Sequence, residues 1–273
     1  MAIPNFVLNS GHSIPALGLG TYKMAPALTA DMVERALRLG YRHVDTATLY
    51  GNEAEVGEGL RRSEVPREEV FVTTKLWNDA HRRADALRAF NTSLDKLGLD
   101  YVDLYLIHWP VPSNGLVVEA WKALIEIADT GRALSIGVSN FRTEDLTAVI
   151  DATGVVPAVN QIELHPLFQQ KALRALHAEL GIMTEAWSPL GRGADLANDT
   201  LRALGDEVGR STAQVVIRWL IQLEIVVFPK TSNPARLAEN LAVDDFELTP
   251  EQMARIDAIR QVNQVGSDPA TVT

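Results

Sequence analysis

Short apolar runs alternate along the chain with longer stretches whose apolar positions recur every three to four residues. The short runs predict strands at Leu17–Gly20, His43–Asp45, Val70–Lys75, Val102–His108, Ala133–Ser139, Ala158–Gln161, Ile182–Trp187 and Ile225–Phe228. Several, such as Leu104-Tyr105-Leu106-Ile107 and Ile225-Val226-Val227-Phe228, are continuously apolar, the pattern of parallel strands covered on both faces. Between them, Arg82–Leu97, Val117–Asp129, Thr143–Ala152, Gln169–Leu180 and Thr212–Leu223 carry helical spacing. Asn52, with Glu55 three residues on, predicts an N-cap and its capping-box partner at the start of another helix. Strict alternation of strand and helix leaves a doubly wound open sheet or a closed (β/α)8 barrel, and eight strands favour the α/β barrel of the TIM type. Phe6-Val7-Leu8 and Ile14-Pro15, flanking Asn9-Ser10-Gly11-His12, predict an N-terminal β-hairpin ahead of the first barrel strand. Ala197–Val208 predicts an extra helix between the last two strands. No Pro/Gly linker or charge block divides the chain, so residues 1–273 are expected to form one domain.

Composition narrows the function classes. An apolar fraction of 47% with 22% charged residues fits a globular protein and excludes a largely disordered chain. A net charge of −10 argues against nucleic acid or an anionic membrane as a bulk partner, while leaving room for a local basic site. The chain has no cysteine, which excludes disulfides, a thiol nucleophile and cysteine-ligated metal. The first basic residue is Lys23 and no run approaches the ~20 apolar residues of a membrane span, so a cytoplasmic protein is expected.

The informative feature is where polar residues interrupt the pattern. Asp45, Lys75, His108, Ser139-Asn140, Gln161 and Lys230 fall at or just beyond the predicted strand ends. In a barrel those ends converge on one face, the face that carries chemistry. One strand ending in a charge is most often a solvated end. Six in one rim, including an acid, a base and an amide, point to a site. Tyr50 follows Asp45 by five residues and can lean over the same mouth. A phenol is a poor acid at neutral pH, but a neighbouring Lys75 favours phenolate and Asp45 can hold the lysine charged. His108 can donate a hydrogen bond to a polarised oxygen. Proton donor, tuning pair and oxygen-orienting group together suit carbonyl reduction.

These residues sit within blocks that resemble the aldo-keto reductases. Gly40-Tyr41-Arg42-His43-Val44-Asp45-Thr46-Ala47, continuing to Leu49-Tyr50-Gly51-Asn52-Glu53, is similar to the first family signature. Leu104–Pro110, Ile136–Phe141, Val159–Glu163, Ser188–Gly191 and Pro229–Ser232 match further blocks in order, from about Leu17 to Ile259. The compact loops resemble microbial members, especially the 2,5-diketo-gluconate reductase group. The resemblance implies an NADPH-dependent reductase of aldehydes or ketones, with keto-sugar acids and small dicarbonyls as candidate substrates. It makes Tyr50 the general acid, tuned by Asp45 and Lys75, with His108 orienting the carbonyl. It assigns Ser139, Asn140 and Gln161 to the nicotinamide carboxamide and Trp187, where many relatives carry tyrosine, to the ring. Ser188, Pro189, Leu190 and Gly191 would meet the pyrophosphate. Lys230, Thr231, Ser232, Asn233 and Arg236 would surround the 2′-phosphate of NADPH/NADP+, with Glu239 and Asn240 near the adenine. Asn233 stands where some relatives place another arginine, so the phosphate-binding charge rests on Arg236 and Lys230.

Tyr22, Trp77 and Trp109 follow strands bearing these groups, and the resemblance assigns them, with His108, to an apolar substrate pocket. Gln261–Thr273 is expected to wrap over the mouth. His12, His81, His165 and His177 read as structural or surface residues. Gly18-x-Gly20, Gly57-x-Gly59 and Gly191-x-Gly193 each lack the third glycine of a dinucleotide fingerprint, and no His-Glu-x-x-His occurs, so neither a Rossmann site nor a metal site is expected. The expected partner is a small-molecule carbonyl compound and the expected state a monomer. The rivals are a nicotinamide-binding regulatory barrel with little turnover and an unrelated phosphate-processing barrel. The intact Asp45, Tyr50, Lys75 and His108 weigh against the first, and nothing in the sequence supports the second.

Overall fold

Alternation along each strand sorts side chains into an inner core and an outer one, and this sorting closes the barrel. The computed structural model describes residues 3–262 and 264–273. β1 (Asn5–Val7) and β2 (Ser13–Pro15) form the predicted antiparallel hairpin. Eight parallel strands follow, each hydrogen-bonded to the next in chain order: β3 (Leu19–Gly20), β4 (His43–Asp45), β5 (Phe71–Leu76), β6 (Val102–Ile107), β7 (Ala133–Ser139), β8 (Val159–Glu163), β9 (Met183–Trp187) and β10 (Val226–Val227). Bridges from Leu17 to Val227 and from Gly20 to Lys230 join the first strand to the last. Gly20 permits that closure. A Cβ there would lie 2.7 Å from the carbonyl oxygen of Phe228.

The helices are α1 (Pro26–Leu39), α2 (Glu53–Ser63), α3 (Arg83–Leu97), α4 (Val117–Asp129), α5 (Thr143–Thr153), α6 (Lys171–Leu180), α7 (Asp199–Val208), α8 (Thr212–Gln222), α9 (Pro234–Leu241) and α10 (Pro250–Asp257). The extra helix before the last strand is therefore α7, capped by Asn198, whose side chain accepts from the Leu201 amide. Helix-facing side chains such as Val72, Tyr105, Trp121 and Trp219 make the outer core. Phe71, Leu104, Leu106, Val159, Val226 and Phe228 fill the barrel, with Leu8 and Ile14 of the hairpin region packed among them. The hairpin thus plugs one end of the barrel and leaves the other for chemistry.

One local prediction fails instructively. Asn52 does sit at the start of α2, but its side chain makes no cap and Glu55 completes no capping box. Instead its Oδ1 accepts from Thr46 at 3.0 Å, and its Nδ2 donates to the carbonyls of Thr21 (3.0 Å) and Met24 (3.3 Å). Tertiary partners that tie the β3 and β4 loops together outcompete the local bond.

Candidate active site

The carboxyl ends of β4 and β5 bring opposite charges together inside a dry barrel. Lys75 Nζ donates to both Asp45 oxygens, at 2.7 and 2.8 Å, and to the Thr46 carbonyl at 2.8 Å. Lys75 is wholly buried and Asp45 nearly so. Charges so placed persist only when paired and fully hydrogen-bonded, and here three acceptors surround the ammonium. Tyr50 lies in a single 3-10 turn, Thr48–Tyr50, pinned where Thr48 Oγ1 donates to the Lys75 carbonyl at 2.9 Å. This sets the Tyr50 hydroxyl 3.5 Å from Lys75 Nζ. His108, just past β6, stands edge-on to Tyr50 with ring centroids 5.7 Å apart.

The electrostatics revise one sequence expectation. Burial raises the Tyr50 pKa well above the ordinary phenol value, and Asp45 and Tyr22 add to the rise. Lys75 does not reverse this, because its charge is neutralised by Asp45 at contact distance. Tyr50 is therefore a neutral hydroxyl donor rather than an incipient phenolate. Burial also lowers the His108 pKa well below its usual value, with the Lys75 charge acting in the same direction. His108 is a neutral imidazole, able to orient an oxygen without competing as the acid.

Around these groups lies a cavity of about 260 Å³, lined by Asp45, Tyr50, His108, Ser139, Asn140 and Gln161 among others. Tyr22, Trp77 and Trp109 line it as expected. Tyr22 packs 5.0 Å from Tyr50, and Trp77 stands edge-on to His108 at 5.1 Å. Asn140 Nδ2 donates to the His108 carbonyl (2.9 Å) and to Ser139 Oγ (3.0 Å), while its Oδ1 accepts from the Trp187 indole at 2.8 Å. Trp187, Ser188, Pro189 and Lys230 complete the lining among the expected cofactor residues.

The remaining expected residues lie outside the cavity wall. Leu190 packs on the outer core, and Gly191 is pressed against Asp195, whose Oδ2 would be 2.3 Å from a Cβ there. Thr231 Oγ1 accepts from the Asn233 amide, and Asn233 in turn caps α9. Ser232, Arg236 and Glu239 are exposed and Asn240 is buried. Among the described residues Arg236 has no side-chain partner. A larger groove of about 800 Å³ opens at the hairpin end, where two of its charged residues, Arg42 and Glu69, pair with each other at 3.5 Å.

Several site residues escaped sequence reasoning. Arg192, Phe228, Ser267 and Val272 also line the cavity. Ser267 and Val272 belong to the expected C-terminal wrap, which holds for the described residues of Gln261–Thr273; Asn263 lies outside them. Glu163 is the anchor of this strap, accepting from the amides of Val265 (2.5 Å) and Gly266 (2.7 Å). Gly266 has to be glycine here, since a Cβ would come within 2.2 Å of the Trp187 ring. His165, expected to be a structural or surface residue, is structural: it bridges Glu163 (3.2 Å) and Asp195 (3.0 Å) in full burial. Glu185, inside β9, is wholly buried beside Gln161. An acid in mid-strand, between Thr184 and Ala186, is the sequence signal that could have flagged it.

The fold and site are those of a (β/α)8 barrel with a buried Asp–Lys pair beneath a tyrosine and a histidine at its mouth. The model of the aldo/keto reductase family matches residues 16–261. An aldo-keto reductase of Mycobacterium sp. (strain KMS) is 50% identical over 271 residues, covering 99% of this chain and 98% of that one. Methylglyoxal reductase DkgA of Salmonella typhimurium is 46% identical over 272 residues, 98% of each. The crystal structure of a substituted Gox0644 in complex with NADPH superposes with a TM-score of 0.96 at 47% identity, covering 100% of both chains. The chain belongs to the aldo/keto reductase family.

Proposed function

We propose that the chain is an NADPH-dependent carbonyl reductase that turns small aldehydes and ketones into alcohols, with Tyr50 as general acid. The observation that carries this reading is the convergence of Tyr50, His108 and the Asp45–Lys75 pair on one apolar-walled cavity. The residues present fit the cofactor. Amide groups of Asn140 and Gln161 and the Trp187 indole wall the mouth, Lys230 stands at its edge and Arg236 on the segment beyond it, both exposed and without a side-chain partner among the described residues. Reduced nicotinamide supplies a hydride to the carbonyl carbon when bound. The protein holds the carbonyl oxygen between His108 and Tyr50, and the Tyr50 hydroxyl hands its proton to the oxygen as negative charge develops there. The phenolate left behind faces Lys75 Nζ, 3.5 Å away, which stabilises it until a proton returns.

Trp77, Trp109 and Trp187 leave limited apolar space, which suits compact substrates, and relatives include a named methylglyoxal reductase. Small dicarbonyls and keto-sugar acids are therefore the substrate classes we assign. We read the enzyme as cytoplasmic and monomeric, consistent with its charge of −10 and its self-contained barrel. No helix among the described residues is long and apolar enough to cross a membrane. The test is NADPH oxidation at 340 nm against a panel of dicarbonyls, sugar acids and aromatic aldehydes. Binding of NADPH without turnover of any of them would instead support a regulatory barrel.

A further inference from the structure

Glu185 is a fully buried carboxyl for which the proposed chemistry has no use. It lies on β9 directly across from Gln161 on β8, and both point into the barrel. Gln161 Nε2 donates to Asp45 Oδ2 at 2.9 Å and to Glu185 Oε2 at 2.7 Å. A carboxamide nitrogen has two hydrogens, so both are consumed by these two carboxyls. The Gln161 carboxamide then has one orientation: nitrogen down toward the two acids, Oε1 toward the cavity that Gln161 lines. Asp45 alone would leave one hydrogen unpaired and the amide free to swing.

We infer that Glu185 is a positioning residue that locks the Gln161 carboxamide with its oxygen toward the mouth, so that the site selects a ring substituent bearing an N–H donor. This rests on the cofactor reading above. The lock needs only an acceptor, not a charge. Burial, aided by the Asp45 carboxylate, pushes the Glu185 pKa up to about 8, so the group is neutral near pH 7. A neutral acid keeps its carbonyl oxygen as acceptor and adds no second negative charge beside Asp45. Its other oxygen has no hydrogen-bond partner among the described residues.

The test compares the affinity for NADP+ with that for its 3-acetylpyridine analogue, in which a methyl ketone replaces the amide and removes the N–H donor. Calorimetric titration of the wild type should favour NADP+ about tenfold, the value of one hydrogen bond. Glu185→Met should bring the ratio to within about twofold. Glu185→Gln, whose carbonyl can still accept from Gln161, should preserve it. Adenosine 2′,5′-bisphosphate, which lacks the nicotinamide, should bind all three proteins equally and so report an intact fold. If Glu185→Met does not fold, Glu185→Ala serves as the loss variant. Full discrimination in the loss variant, or none in a wild type that binds NADP+, overturns the inference. Failure of the wild type to bind NADP+ at all would instead overturn the cofactor reading.

Discussion

Replacing Tyr50 by Phe removes one hydroxyl and almost nothing else. The ring keeps its packing against Tyr22, at 5.0 Å, and His108, at 5.7 Å. Among the described residues the hydroxyl's one hydrogen-bond partner is Lys75 Nζ, at 3.5 Å, long for a strong hydrogen bond. Lys75 loses little, since its three short bonds go to Asp45 and Thr46. Stability should therefore change by less than about 1 kcal/mol. Catalysis should change far more. Of the cavity's other proton-bearing groups, His108 is a neutral imidazole whose pKa burial lowers, a far weaker acid than an imidazolium, and Tyr22 is a packing neighbour of Tyr50 at 5.0 Å, with no hydrogen bond to Lys75. Loss of general acid catalysis should reduce kcat by about 10²–10⁴, or roughly 3–5 kcal/mol in barrier. The assay is steady-state reduction of an aldehyde with NADPH and with its 4-deuterated form, so that the isotope effect reports whether hydride transfer limits the rate. Cofactor affinity, measured by tryptophan quenching, should stay within about twofold. A variant that keeps more than about a tenth of wild-type kcat, with a full isotope effect, would remove Tyr50 as the acid.

Lys75→Met strands Asp45 in the barrel without its counter-charge and should cost about 3–5 kcal/mol in urea unfolding, with Asp45→Asn/Lys75→Met recovering part of the loss; an unchanged midpoint would mean the pair is not what the 2.7 Å contact indicates. Arg236→Ala should weaken NADPH binding about ten- to a hundredfold and leave NADH nearly unchanged; equal losses would assign Arg236 to the fold or the pyrophosphate. His165 should give a pH signature, because burial lowers its pKa but the bonds from Asp195 and Glu163 outweigh this and raise it to about 9. A raised histidine stabilises the fold fully below its unfolded pKa near ~6.5 and loses that contribution as pH rises through about 9, at most about 3 kcal/mol. Glu185, held neutral to about 8, makes wild-type stability fall in part of the same range, so the contrast to measure is wild type against His165→Gln at pH 6 and pH 9.5; an identical pH dependence in the two would refute the bridging role.

What the sequence made legible follows from the range of the forces involved. Strand positions were readable because barrel strands are covered on both faces, and an interruption such as Asp45 or His108 stands out against Val44 or Ile107. Their ends moved by a residue where tertiary bonds decide, as when Leu76 extends β5 and its carbonyl accepts from the His108 amide at 3.1 Å. The capping expectation fails at Asn52 because capping is a local rule, whereas its side-chain bonds join segments up to 31 residues apart. The sign of the Tyr50 shift was missed for a similar reason. Pairwise reasoning credits the Lys75 charge to the phenol, whereas the fold buries the hydroxyl and pairs that charge with Asp45 at 2.7 Å, closer than the 3.5 Å to the phenol. Glu185 is not legible from the strand-end pattern because it sits in mid-strand, where the register of β8 against β9 brings Gln161 alongside as its partner.

The two ends of the proposed cofactor site handle charge in opposite ways, and burial explains why. Deep in the mouth, Asp45 and Lys75 cancel, while Glu185 and His108 are held neutral by desolvation. The inner wall therefore carries almost no net field, and its selectivity comes from the direction of hydrogen bonds from fixed amides and a phenol. At the outer edge of the wall Lys230, and beyond it Arg236, are exposed and have no side-chain partner among the described residues, on a protein whose total charge is −10. At physiological ionic strength the field of distant carboxylates decays over about 8 Å, so these nearby cations, not the net charge, govern a phosphate that reaches them. Contacts at the exposed end should thus weaken with added salt, while the discrimination set by Glu185 and Gln161 should not. NADP+ affinity and its ratio to the 3-acetylpyridine analogue, titrated from about 50 to about 500 mM salt, separate the two. A ratio that falls in parallel with the affinity would show that the inner wall is open to solvent ions, contrary to the burial of Glu185 and Lys75.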